Sequence, residues 1–127
     1  MALTLHLIPG EFAICRLPPG EPVPAWAGSA VFSSITRTAD ELSIFCPAAQ
    51  VPADTKHEAG WRLLKFQGPF VFTETGILTA ILGPLAVAKI SILASATFDT
   101  DYVFVKTGQL DAACRVLQAA GHTVRKN

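Results

Sequence analysis

The residues with the clearest chemical potential form two short stretches in the second half of the chain. Glu74-Thr75-Gly76-Ile77 precedes a long apolar run, and Asp99 and Asp101 stand two residues apart in Phe98-Asp99-Thr100-Asp101. A helix opening at Gly76 presents unpaired N–H groups and a partial positive charge, a setting suited to a carboxylate. Glycine there admits close approach of a ligand to the backbone. The plainer reading of Thr75-Gly76 is a cap and a tight turn. Asp99 and Asp101 share a face if their segment is extended, and from there they suit a ligand's amino group. Asp is equally at home in turns, where it bonds its own backbone, and no further ligand cluster accompanies the pair to hold a metal. His6, His57 and His122 are scattered, and nothing in the chain forms a nucleophile elbow, a Walker loop or G-x-G-x-x-G. They are assigned to surface or packing roles. No catalytic residue, metal or cofactor follows from the sequence.

The elements that must position these residues are legible from periodicity. Trp61 to Phe72 reads as a strand, bent or bulged at Gly68-Pro69 because proline cannot donate to a ladder. Thr75 offers a hydroxyl N-cap, and Ile77, Leu78, Ile81, Leu82 and Leu85 recur at helical spacing. Pro84 inside that run removes one backbone bond and predicts a kink. Ile90 to Ser95 and Asp101 to Lys106 read as an antiparallel hairpin. Leu110, Ala113, Cys114 and Leu117 then define a second helix, with Gly121 at a left-handed C-terminal cap. His122 to Arg125 closes as a strand, giving β-α-β-β-α-β, the ferredoxin-like order.

A repeat at an offset of 60 residues lays Phe32–Thr36 over Ile92–Ala96 and Glu41–Phe45 over Asp101–Val105. By the same offset the first helix corresponds to Pro18–Ala27, whose four prolines permit only a short helix or a loop. Strands are expected near Leu3–Ile8 and Glu11–Leu17, with little helix in Pro47–Gly60. The fold class is therefore α+β: two ferredoxin-like units sharing a central strand region, a degenerate one over residues 1–66 and a complete one over 61–127.

Bulk composition narrows the function. The 127 residues carry no formal net charge, which removes the positive field that draws proteins to nucleic acid or anionic membranes. Trp26 and Trp61 lack the interleaved Arg or Lys of a stacking platform and are assigned to packing within or between units. Charged residues are 16% of the chain while half is apolar, and the mean hydropathy is +0.41. So little polar surface predicts that a second copy covers part of the exterior, most simply in a homodimer. Three cysteines, Cys15, Cys46 and Cys114, without C-x-x-C spacing predict buried thiols in a reducing, cytoplasmic setting. Residues 76–96 have spanning length, but Gly83-Pro84 and Lys89 favour a soluble helix and strand over a membrane span. The first residues lack a basic n-region and are interrupted by Pro9-Gly10, so no secretory signal is expected.

Residues 72–86, followed by Ile90-Ser91-Ile92 and Phe98 to Lys106, resemble an ACT domain, and more narrowly the tandem ACT group that includes the cytosolic arginine sensor of animals and many bacterial proteins. The resemblance is strongest over residues 61–127. It implies that the loop between first strand and first helix meets an amino-acid effector, commonly at an interface between ACT units. Carried over residue by residue, that role falls to Glu74, Thr75, Gly76 and Ile77. The family's usual Asp-x-Pro-Gly is here Glu-Thr-Gly. The expected function is a small-molecule sensor that binds an amino-acid-type ligand without catalysis and signals through a separate, unidentified protein partner. The alternative is a structural interaction module whose pocket is vestigial.

Overall fold

The computed structural model describes residues 1–70 and 75–126. They divide into two compact units: a helical unit of Met1–Pro9 with Arg62–Asn127, and a strand unit of Gly10–Trp61. Two strands, β1 (Thr4–Leu17) and β4 (His57–Phe66), contribute residues to both. The fold is α+β.

In the helical unit, α1 (Ile77–Val87) and α2 (Leu110–Ala119) accompany strands β5 (Ile92–Ala96), β6 (Asp101–Lys106) and β7 (Thr123–Arg125). The strand order is β5-β6-β4-β1, with β7 beside β1. The β-α-β-β-α-β succession is the expected one, but its last strand does not pair with its first. Residues of β1 lie between them, and β7 runs parallel to β1 with Thr4 against Thr123 and His6 against Arg125. Leu5 is fully buried there among Leu64, Phe66, Ile81 and Leu117, with Leu3 and Leu7 packed alongside. Burying those three leucines is the gain that draws this segment into the helical unit.

The strand expected over Trp61–Phe72 begins earlier, at His57, and stops at Phe66; residues 71 and 72 lie outside the described residues. Pro69 offers no N–H to continue a ladder. The following segment is held by other bonds. Thr100 Oγ1 donates to the Phe66 carbonyl at 2.8 Å, and the Phe70 amide donates to the Asp99 carbonyl at 3.0 Å. The Gly68–Pro69 peptide is cis.

Helix α1 buries Ile77, Ile81 and Leu85, and Leu78 and Leu82 are partly buried, so the helical spacing read from the sequence is its core face. Pro84 lies inside it, and its missing N–H leaves the Ala80 carbonyl without a helical donor. His122 supplies one. Its Nε2 is 3.0 Å from the Ala80 oxygen, while its Nδ1 accepts the Leu3 amide at 3.0 Å. That pattern assigns a neutral ring with the proton on Nε2. The ring is 6% exposed, and it joins α1, the segment after α2, and the approach to β1. A packing role for His122 is thus correct, and the bond pattern gives it a specific content.

Both helices end in a Schellman motif. After α2 the amides of Gly121 (φ 96°) and His122 bond the carbonyls of Gln118 and Leu117, as the glycine implied. After α1 the same pair of bonds runs from Lys89 and Ile90 to Ala86 and Leu85, with Lys89 itself at φ 60°. The predicted face of α2, Leu110, Ala113, Cys114 and Leu117, is buried throughout. No helix among the described residues is long and apolar enough to cross a membrane.

In the strand unit, β2 (Ser34–Arg37) and β3 (Leu42–Pro47) join β1 and β4 in the order β2-β3-β1-β4. β3 is antiparallel to both neighbours. Ala13, Cys15, Ala27, Leu42, Ile44 and Cys46 form its core, with Trp26 and Val51 packed on it. The prolines keep residues 18–27 non-helical apart from a 3-10 turn at Ala25–Ala27, and Ala48–Gln50 forms another. Gln50 ties the two turns together, its Nε2 donating to the carbonyls of Trp26 and Gly28 at 2.8 Å each. Two strands were expected up to Leu17, whereas β1 runs on through Pro9 because Gly10 takes φ 91° there without leaving the ladder.

The repeat also needs a one-residue correction. Arg37 pairs with Leu42 and Ala96 with Asp101, and the four-residue loops between them open at Thr38 and Thr97. The amide of each threonine bonds the fourth carbonyl, of Glu41 and Thr100 respectively, at 2.9 Å. The hairpins therefore superpose Thr38 on Thr97, an offset of 59 residues. A slip of one residue exchanges the faces of a strand, and only the corrected offset matches buried Ile44 and Cys46 with buried Val103 and Val105.

All three cysteines are free and buried. Burial, reinforced by the neighbouring Cys46, pushes the Cys15 thiol up to about 12. Burial likewise raises Cys46 and Cys114.

Candidate ligand-binding site

At the start of α1 the chain turns on Gly76, which sits at the N-cap with φ 78°. A side chain there would be strained by that left-handed backbone, although a Cβ would meet nothing within 4 Å. The hydroxyl cap expected from Thr75 is not formed: Gly76 takes the N-cap position, there is no side-chain cap bond, and Thr75 is exposed. The first helical bond runs from the Ala80 amide to the Gly76 carbonyl at 2.9 Å. The amides of Ile77, Leu78 and Thr79 thus have no helical acceptor. Glu74 lies outside the described residues.

These amides border a cleft of about 340 Å³ whose other wall is the β5–β6 hairpin from Ala96 to Asp101, with Phe70 at one end. Asp99 is exposed at the loop tip, and Asp101, half-buried, opens β6. Among the described residues neither carboxylate has an ion-pair or hydrogen-bond partner. The loop itself is fixed. Thr97 Oγ1 donates to the Thr100 carbonyl at 3.1 Å, and the Thr100 and Phe70 bonds given above fasten its base. Gly68 permits that closeness: a Cβ on it would lie 3.0 Å from the Asp99 carbonyl oxygen and 3.2 Å from the Thr100 Cβ.

The described site residues named from the sequence, Thr75, Gly76, Ile77, Asp99 and Asp101, therefore fall at one corner of the unit. Ile77 is buried, so its side chain belongs to the core and its amide to the cleft. The reading missed Phe70, Thr97, Thr100 and Phe98, the last 79% exposed at the lip. Threonines at both ends of an Asp-bearing loop were the available signal. Donors on one wall and carboxylates on the other suit a small molecule that carries an anionic and a cationic group. No cluster of His, Cys, Asp or Glu among the described residues is arranged for a metal ion.

Comparison with known proteins agrees with this architecture. The family model for the ACT domain matches residues 56–119, and a model described as an N-terminal domain matches residues 10–54. The human cytosolic arginine sensor for mTORC1 subunit 1 is 39% identical over 59 residues, 46% of this chain and 18% of that protein. This chain thus spans only a small part of the curated relatives it matches. A crystal structure of a protein from Agobacterium tumefaciens superposes with a TM-score of 0.95 at 40% identity, covering 100% of this chain and 95% of that one. The regulatory subunit of aspartate kinase from Thermus thermophilus shares the fold, with a TM-score of 0.58 at 8% identity over 87% of this chain and 91% of its own. On the matched model, the chain belongs to the ACT domain family.

Proposed function

We propose that this chain is a regulatory binder of an amino-acid-type metabolite, held in the cleft beside Gly76, and that it catalyses no reaction. The observation that carries the reading is the pairing of the open amides of Ile77, Leu78 and Thr79 with the carboxylates of Asp99 and Asp101 around one cleft. The amides suit the ligand's carboxylate and the aspartates its ammonium. Membership of the ACT family supports it, as does the name of the arginine sensor, although that protein is much longer. The output is read as passing through a separate, unidentified protein partner. The ligand shifts that association by its differential affinity for the two states. The apolar composition supports a homodimer, and the three free, buried thiols support a reducing, cytoplasmic setting.

Thermal melting with each free L-amino acid tests this. A binder rises in melting temperature as RT ln(1 + [L]/Kd). The response is expected to vanish in Gly76→Val, and also in Asp99→Asn/Asp101→Asn, which leaves the backbone at Gly76 untouched. If no amino acid at millimolar concentration moves the wild-type transition, the cleft is vestigial and the interaction-module reading replaces this one.

A further inference from the structure

We infer that the strand unit carries a second, independent site for a small zwitterion, in the groove beside Arg16. Strand pairing sets Arg16 directly against Ser43, and Glu41, the last residue of the loop that leads into β3, lines the same groove. On the other flank the Arg16 amide bonds the Lys56 carbonyl at 3.0 Å. The core of this unit takes the alternate residues, Cys15, Leu42 and Ile44, so the face bearing Arg16 and Ser43 is the open one. A groove of about 250 Å³ lies there, lined by these residues with Ile14, Lys56 and His57 among its other walls.

The charged groups are placed but not used up. One guanidinium nitrogen of Arg16, Nη2, donates to the Asp40 carbonyl at 2.8 Å and anchors the side chain at the 38–41 loop. That loop is held in turn by Thr38 Oγ1, which accepts the amides of Asp40 and Glu41 at 3.1 Å each. Arginine has five N–H donors, and this is the one side-chain bond it makes among the described residues. The Glu41 carboxylate has no partner among them. A guanidinium and a carboxylate thus border one groove without pairing to each other. A ligand with its own carboxylate and ammonium satisfies both, with Ile14 offering an apolar patch to its side chain. The class is a free α-amino acid or a zwitterion of similar size. Here a side-chain guanidinium takes the ligand's carboxylate, whereas helix amides take it beside Gly76, so this site stands whether or not the first one binds. Because the ions are solvent-facing, millimolar affinity is expected.

The test is amide NMR on the ¹⁵N-labelled full chain, titrated singly with L-alanine, L-leucine, L-glutamate and L-arginine. Saturable shifts at residues 14–17, 41–43 and 56–58 are expected for at least one of them, distinct from any at residues 75–79 and 96–101. They should disappear when that amino acid is replaced by its N-acetyl or its carboxamide form. Arg16→Met and Glu41→Gln should each weaken the titration about two- to fivefold, the size of a solvent-facing ion pair, with resonances around Gly76 unmoved. Glu41→Gln alters no bond in the fold and so guards against a folding defect in Arg16→Met. Absence of saturable shifts at these amides for all four probes, or unchanged affinity in both variants, overturns the inference. A response confined to residues 75–79 and 96–101 overturns it while leaving the first site intact.

Discussion

Replacing His122 tests whether a proline-broken helix is repaired from outside. In His122→Phe the ring volume is roughly kept, but the Leu3 amide and the Ala80 carbonyl both lose their partner. Each bond contributes about 1 kcal/mol net, and each buried group left unsatisfied costs about 1–3 kcal/mol. A loss of about 2–6 kcal/mol is therefore expected for the two groups, read by urea unfolding followed through tryptophan fluorescence. The decisive variant is Pro84→Ala, which gives position 84 an N–H that can reach the Ala80 carbonyl along the helix. With His122 present that carbonyl is already satisfied; once the imidazole is gone it is not. Pro84→Ala should thus be worth about 1–2 kcal/mol more in the His122→Phe background than in the wild type. Effects that add within about 0.5 kcal/mol would show no coupling and would refute the account of His122 as the substitute donor. The same anchor bears on function, because Ala80 directly follows the three open amides of the cleft. His122→Phe should also weaken any ligand response that the wild-type protein gives.

Three further outcomes follow from single residues. Lys89 holds a left-handed conformation at the end of α1 that costs a non-glycine residue about 1–2 kcal/mol, so Lys89→Gly should raise stability by up to about 1 kcal/mol in the same unfolding assay. Gly68→Ala places a Cβ 3.0 Å from the Asp99 carbonyl; it should lower the melting temperature and displace the amide resonances of residues 97–101. Cys15 is pushed up from 9.0 to about 12 in the folded chain. Below pH 9 both states keep the proton and the thiol has no effect, whereas above it only the unfolded thiol ionises. Stability should then fall by up to about 1.4 kcal/mol per pH unit for this group, and Cys15→Ala should flatten the alkaline limb of a stability–pH profile.

Where packing is local, the sequence foretold it. The buried stripe of α2 follows from four residues at helical spacing, the apolar face of α1 is equally plain, and the Gly121 cap needs no more than a glycine past the last apolar position. Gly76, Asp99 and Asp101 were legible for the same reason, since turn-forming residues between periodic runs mark corners. The long-range pairings were not. Nothing in Leu3 to Leu7 states that β7 will pair with that segment, because an alternating apolar strand fits several neighbours. The hairpin register was misjudged by one because the aligned acidic residues, Glu41 and Asp101, are chemically alike but stand on different sides of the loop boundary. His122 was invisible as a helix partner, since the carbonyl it completes is freed by a proline far away in sequence.

The repeat explains why one fold supports two different corners. Each half builds a four-residue hairpin loop opened by a threonine. In the second half a glycine turns the chain into an eleven-residue helix, and the amides of its first turn are the donors. In the first half the prolines between Pro18 and Pro24 forbid that helix, so no such row of amides exists at its corner. Arg16, held by the Asp40 carbonyl at the edge of the loop, is the cation proposed there. The two proposed sites therefore differ in the donor offered to an anion: the first-turn amides of α1 beside Gly76, and the Arg16 guanidinium beside the 38–41 loop.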